Sequence, residues 1–152
     1  MTKDGGANLR QGKMEDVETI ANFNCAMAEE TEGLQLDRGV VIKGVQAVML
    51  DAAKGRYYVI EEEGQVVSCL LITFEWSDWR NSNYWWIQSV YTHPSYRRKG
   101  HFSKLFKHVV TEGRAAGAAA VRLYADSQNL RAQEVYRKLG MTSHYLVFET
   151  QC

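Results

Sequence analysis

The stretch Val66 to Phe74 constrains the fold more than any other part of the chain. Read as a strand, it carries Val66, Leu70, Ile72 and Phe74 on one face and Val67, Cys69 and Leu71 on the other. Successive side chains point to opposite sides of a strand, so apolar residues on both sides mean that neither is wetted. Such a strand belongs in the middle of a sheet covered on both faces. Arg56 to Glu62 and then Gly64 precede it, which reads as the first arm of a hairpin. Cys69 is therefore expected in the core, where a thiol stays protonated and inert.

Around this strand the periodicity predicts further elements. Asn8 to Gln11 is a short strand, Met14 to Glu30 a helix with Val17, Ile20, Phe23 and Met27 along one stripe, and Thr31 to Gly39 a loop. Val41 to Ala53 is a second helix ending near Gly55. A turn over Trp79 to Asn83 leads into a strand from Tyr84 to Thr92, which Pro94 stops. With that turn centred near Arg80 and Asn81, Phe74 should oppose Gln88 and Trp76 should oppose Trp86. A helix follows from His101 to Ala116, whose Phe102, Leu105, Phe106, Val109 and Val110 form the stripe of a helix packed on a sheet. Ala118 to Ala125 reads as a strand, Asn129 to Leu139 as a helix, and Met141 to Phe148 as a last strand. The expected order is β-α-α-β-β-β-α-β-α-β. This is an α/β domain over residues 1–152 with a mixed, mostly antiparallel sheet and helices on both faces.

Composition narrows the function classes. Eighteen basic and eighteen acidic residues leave no formal net charge, which argues against a general nucleic-acid binder. No apolar run approaches the roughly 18 residues of a membrane span, and the Met1 to Gly6 start lacks the apolar segment of a secretory signal. No membrane partner and a cytoplasmic location are the expectations. Cys25, Cys69 and Cys152 form no closely spaced pair, and the four histidines are scattered, so no metal site is expected.

The charges are nevertheless segregated. Glu15, Asp16, Glu18, Glu29, Glu30, Glu32 and Asp37 lie between Lys13 and Arg38, whereas Arg97, Arg98, Lys99, Lys104, Lys107 and Arg114 crowd the stretch after His93. Two solvated helix faces would account for this. A basic anchor for an anionic cofactor, facing an acidic entrance for a cationic acceptor, would account for it too.

The basic stretch has a further property. Tyr96-Arg97-Arg98-Lys99-Gly100-His101-Phe102 opens a helix, and free backbone N–H groups at a helix N-terminus attract phosphate. The amides from Arg98 to Ser103 would face the anion, and Gly100 allows close approach or a positive φ. Farther on, Asn129 opens a second helix and Tyr136 lies within it. Asn129 serves well as an N-cap, and Tyr136 as a half-buried packing residue.

The run from Val90 to Tyr136, strand, basic glycine turn, helix, strand, polar turn and helix, resembles the acyl-CoA-binding core of the Gcn5-related N-acetyltransferases. Their turn is written R/Q-x-x-G-x-G/A. Arg97 and Gly100 match it, and Phe102 departs at the third position. The resemblance implies acetyl-CoA as cosubstrate, held by Val90 and Thr92 through strand-like pairing with the pantetheine arm. It also implies Arg97, Arg98, Lys99, Gly100, His101, Phe102 and Ser103 around the diphosphate, and Asn129 as a clamp. Tyr136 falls where the family places the phenol that protonates the departing thiolate. Gln88 stands where the polyamine acetyltransferases, to which this region is loosely similar, carry a glutamate; an amide can orient a water or acceptor but not deprotonate it.

The expected acceptor is a primary amine on a small molecule or peptide, cationic by the charge argument. Glu29, Glu30 and Glu32 on the loop after the first helix, with the indoles of Trp76 and Trp86, are the residues expected to receive it. A homodimer through the aromatic strands is a further expectation. Two other functions fit the same residues, an acyl-CoA sensor in which Gln88 marks a lost base, and a protein-interaction domain using the acidic helix face.

Overall fold

The computed structural model describes residues 6–152, so the expectation about the Met1 to Gly6 start falls largely outside the described residues. Two compact units are present, one ending at Arg122 and the other comprising Leu123–Cys152.

In the first unit the elements are β1 (Asn8–Gln11), a short 3-10 turn at Met14–Asp16, α1 (Val17–Glu32), α2 (Arg38–Leu50), β2 (Arg56–Glu62), β3 (Gln65–Ser77), β4 (Ser82–Thr92), α3 (His101–Ala115) and β5 (Ala120–Arg122). The sheet runs in the order β1-β2-β3-β4-β5. Its first four strands are antiparallel to their neighbours, and β5 lies parallel to β4. The result is the expected mixed α/β sheet.

Alternation along the strands sorts the core into two layers. Tyr57, Val59, Cys69 and Tyr91 pack with Val17, Ile20, Phe23 and Val45 of α1 and α2. On the reverse face Tyr58 meets His108 of α3 edge-on, and Trp85 lies beneath Gly113 of α3. Cys69 is fully buried as expected, and burial pushes its thiol up to about 12.

Turn chemistry sets the β2–β3 register. Glu62 pairs with Gln65 across a two-residue loop, Glu63 and Gly64, both at positive φ, the geometry that matches hairpin twist. The β3–β4 hairpin differs from expectation. Ser77 pairs with Ser82, so the loop is the four residues 78–81, and Phe74 opposes Trp85 while Trp76 opposes Asn83. The strands run on through residues expected in the turn, which moves its centre toward Trp79 and slips the register by an odd number of places. An odd slip exchanges faces. Trp76 and Trp86 consequently project from opposite sides of the sheet instead of sharing one.

Helix ends also moved. α1 continues to Glu32, where the Gly33 N–H donates to Glu29 O at 3.0 Å and the Leu34 N–H to Ala28 O at 3.2 Å, closing the helix. Glu29, Glu30 and Glu32 therefore belong to the last turns of α1 and not to the following loop. α2 starts earlier than expected because Asp37 caps it, accepting from the N–H groups of Gly39 and Val40.

The second unit holds α4 (Leu130–Lys138). The last strand expected at Met141 to Phe148 has no ladder within this unit, and a strand exists only through its ladder. The strand expected over Ala118 to Ala125 is likewise confined to the three residues that pair with β4.

Candidate active site

β4 is bulged. Cys69 pairs with Tyr91 and Leu71 with Gln88, so Ser89 and Val90 together oppose Leu70. Ser89 takes a φ of 51°, the local distortion that inserts the extra residue. Before the bulge Trp85 and Ile87 face α3; after it Tyr91 faces α1. β5 pairs with Tyr84, Trp85 and Trp86 and no further. From Ile87 to Thr92 that edge of β4 therefore faces no strand of the same unit, and its backbone donors and acceptors lack a ladder on that side. Val90 and Thr92 lie in this segment.

The chain then enters the basic turn. His93 Nδ1 accepts from the Ser95 N–H at 3.1 Å, and Pro94–Tyr96 makes one 3-10 turn. Arg98 and Gly100 both have positive φ, 64° and 79°. Gly100 is the N-cap of α3, and no side chain caps the helix. A Cβ on Gly100 would meet open space, so glycine is needed here for its left-handed backbone and not for room. The first-turn N–H groups of α3 have no intrahelical acceptors, and the helix dipole adds positive potential. An anion is what this arrangement can hold.

The side chains of the turn divide in use. Lys99 Nζ lies 4.8 Å from the Tyr96 ring centre and 3.7 Å from Glu62. His101 is buried, with Nε2 at 3.4 Å from Glu62 Oε1 but out of line for a hydrogen bond. Phe102 turns its ring toward Phe106 one turn along, centres 6.2 Å apart, as its place on the apolar stripe predicts. Arg98 and Ser103 complete the turn, with Arg98 exposed. Arg97 points back toward the sheet: its Nε donates to Thr92 O at 2.9 Å, and its Nη2 donates to Glu30 Oε2 at 2.9 Å.

On the α1 face of the sheet lies a polar and aromatic group that sequence reasoning reached only in part. Trp86 Nε1 donates to Glu75 Oε1 at 2.8 Å. The Arg122 guanidinium stacks 3.4 Å from the Tyr84 ring centre and 3.6 Å from Glu75 Oε2. Gln88 Nε2 donates to Thr73 Oγ1. Glu75 was not among the residues expected to receive the acceptor, because only the observed hairpin register brings it beside Trp86. Trp76, on the reverse face, is not part of this group; it lines a cavity of about 460 Å³ with Arg56, Phe74, Asn83 and Trp85. Glu29 and Glu32 are exposed, and Glu30 is joined to Tyr91 as well as Arg97.

In the second unit Asn129 caps α4, its Oδ1 accepting from the Ala132 N–H at 3.1 Å. The cap uses the carbonyl oxygen and leaves the amide NH₂ outside it. Tyr136 lies on the same helix, and burial pushes its phenol above the ordinary range, which keeps it protonated at neutral pH. No group of three or more histidine, cysteine, aspartate or glutamate residues suited to a metal occurs among the described residues. No helix among them is long and apolar enough to cross a membrane.

Comparison with known proteins agrees with this geometry. A solved structure described as a possible acetyltransferase from Clostridium difficile 630 is 41% identical, covers 96% of this chain and 97% of its own, and superposes with a TM-score of 0.90. Another, described as a "predicted acetyltransferase with acetyl-CoA" from Clostridium acetobutylicum, has a TM-score of 0.78 over 95% of this chain and 96% of its own, and at 17% identity shares the fold. A thialysine N-epsilon-acetyltransferase from Bos taurus is 33% identical over 75 residues, 49% of this chain and 44% of that protein's length. The match thus spans under half of that relative. Residues 22–141 match the model of the acetyltransferase (GNAT) family, and the chain belongs to that family.

Proposed function

We propose that the protein is an acetyl-CoA-dependent N-acetyltransferase in which a primary amine attacks the thioester directly within a ternary complex. The observation that carries this reading is the uncapped N-terminus of α3, opened by a left-handed Gly100, at the end of a bulged strand whose outer edge pairs with no strand of its own unit from Ile87 to Thr92. The family match runs from the first unit into the second, which supports residues 1–152 working as one acetyltransferase domain.

The fit of acetyl-CoA follows from the donors. The N–H groups from Arg98 to Ser103 would hold the diphosphate, with Arg98 and Lys99 adding charge. Val90, and Thr92 through its N–H, would pair with the pantetheine arm as a neighbouring strand does, and the Asn129 amide NH₂ would donate to the same arm. The bound thioester supplies an activated acetyl group. The Val90 N–H is the donor suited to the carbonyl oxygen as charge grows on it.

The remaining steps belong to protons. The amine gives up one to a water that leads toward the carboxylates at the end of α1 as its nitrogen bonds the acetyl carbon, and the sulfur gains one as its bond to that carbon breaks. Tyr136, protonated at neutral pH, is the donor to the sulfur. Gln88 orients the acceptor or a water and cannot serve as a base. Trp86, Glu75 and the acidic end of α1, with the exposed Glu29 and Glu32 beside the paired Glu30, suit a cationic amine. The cytosol is the proposed compartment, and a homodimer remains part of the reading.

Gln88 in place of a carboxylate also favours a second reading, an acyl-CoA sensor without turnover. CoA release measured over a panel of polyamines, amino acids and aminoglycosides separates the two. Turnover with one of these amines, falling about a hundredfold in Tyr136→Phe while CoA binding persists, supports the enzyme. Binding of acetyl-CoA without release for any amine supports the sensor.

A further inference from the structure

Glu30, 61 and 67 positions from its partners, meets Tyr91 and Arg97 where the end of α1, the bulged strand and the anion turn converge. The Tyr91 hydroxyl donates to Glu30 Oε1 at 2.9 Å, and Arg97 Nη2 donates to Glu30 Oε2 at 2.9 Å. Arg97 Nε donates to Thr92 O at 2.9 Å, and its guanidinium carbon lies 5.3 Å from the Tyr91 ring centre. Tyr91 itself is anchored, buried against Phe23 of α1 with ring centres 5.0 Å apart. Both oxygens of the carboxylate are engaged, and two of the three guanidinium nitrogens face the protein.

The direction of these bonds matters. Arg97 opens the phosphate-binding motif, yet its guanidinium turns back over the strand just left, away from the backbone donors of the turn it begins. The Thr92 carbonyl that it occupies belongs to the free edge of β4, so that acceptor is spoken for. A planar fork is required, because one nitrogen reaches a main-chain oxygen while another reaches a carboxylate.

We propose that Arg97 is a positioning residue and not a phosphate ligand: the Glu30–Tyr91–Arg97 network fixes the exit of the bulged strand against α1. It thereby sets the distance between the strand edge that receives the thioester and the acidic helix end that meets the amine. The Glu30 carboxyl, held below its ordinary range first by Arg97 and then by Tyr91, stays ionised in this setting. The kinetic part of this inference rests on the transferase reading; the coupling between Glu30 and Arg97 does not.

The test uses Glu30→Gln, Arg97→Gln, Arg97→Lys and the double variant Glu30→Gln/Arg97→Gln of the full chain. Each single change should lower kcat about tenfold and the double change no further, the non-additivity of residues acting as one unit. Acetyl-CoA affinity by calorimetry should stay within about twofold of wild type, with the same salt dependence, since no phosphate contact is lost. Arg97→Lys should not rescue kcat, because an ammonium keeps the charge but not the fork. A tenfold loss of acetyl-CoA affinity confined to the Arg97 variants, or full rescue by lysine, overturns the proposal. A wild type that binds no acetyl-CoA defeats the transferase reading instead. The coupling is then decided by unfolding midpoints without ligand, where additive shifts for the two singles overturn it and non-additive shifts support it.

Discussion

Trp86 donates its indole N–H to Glu75 across the β3–β4 pair at 2.8 Å, so one carboxylate oxygen holds the ring in place, and the Arg122 guanidinium lies 3.6 Å from the other oxygen and 6.0 Å from the indole ring centre. A fixed aromatic face beside a carboxylate is a receptor for an ammonium group. Glu75→Gln should raise the KM of a cationic amine about fivefold through the loss of one exposed charge, with acetyl-CoA affinity unchanged. Steady-state kinetics with each substrate varied in turn check this. An equal rise in KM for an uncharged amine would contradict it.

Gly100 carries the next prediction. Its φ of 79° is forced on any residue placed there, while the space around it is open. Gly100→Ala should therefore cost about 1 kcal/mol of stability through backbone strain alone. The strain falls on the turn that presents the anion-binding amides, so acetyl-CoA affinity should drop more steeply than stability does. Urea unfolding and calorimetry on the same variant separate the two effects.

Thiol chemistry gives a third. Cys69 is fully buried and its thiol is pushed up to about 12, whereas Cys152 is exposed and Cys25 partly so. In native protein at mild alkaline pH, iodoacetamide should label Cys152 first and spare Cys69 until the protein unfolds. Peptide mass spectrometry after timed quenching reads the order. Early labelling of Cys69 would contradict the core assignment.

The pairing of β1 with the start of α1 predicts a pH dependence. Arg10 binds the buried Asp16 through Nη1 at 2.7 Å and Nη2 at 2.9 Å, and Glu61 through Nη2 at 2.8 Å. Burial alone would raise the Asp16 carboxyl, but Arg10 and the Lys13 N–H outweigh it and hold it below its usual 3.8. A depressed carboxyl stabilises the fold fully above its unfolded value and loses that contribution as pH falls through its folded one. Arg10→Ala should cost about 3 kcal/mol at pH 7, by leaving a buried carboxylate unpaired. The penalty should shrink as pH falls through the lowered range in which the paired Asp16 takes up its proton. Unfolding curves of both proteins at several pH values test the trend.

Much of this was legible in the chain because the informative signals are local. Apolar residues on both faces of Val66 to Phe74 placed β3 at the centre, and the Phe102 to Val110 stripe placed α3 on the sheet. Gly100 was legible as the turn residue because only a few residue types take a positive φ readily. The β3–β4 register was not, since a four-residue loop and a five-residue loop look alike in sequence while the slip moves Trp76 to the other face. The Glu30–Arg97 pair was legible only as segregated charge, because nothing local records which acid meets which base across 67 positions.

The central claim is that main-chain donors from Arg98 to Ser103 grip the diphosphate of acetyl-CoA. A crystal of the protein grown with acetyl-CoA tests it most directly. The account predicts diphosphate oxygens within hydrogen-bonding distance of those amides and the pantetheine arm running along the β4 edge beside Val90. Acetyl-CoA bound elsewhere, or absent under saturating conditions, would contradict it.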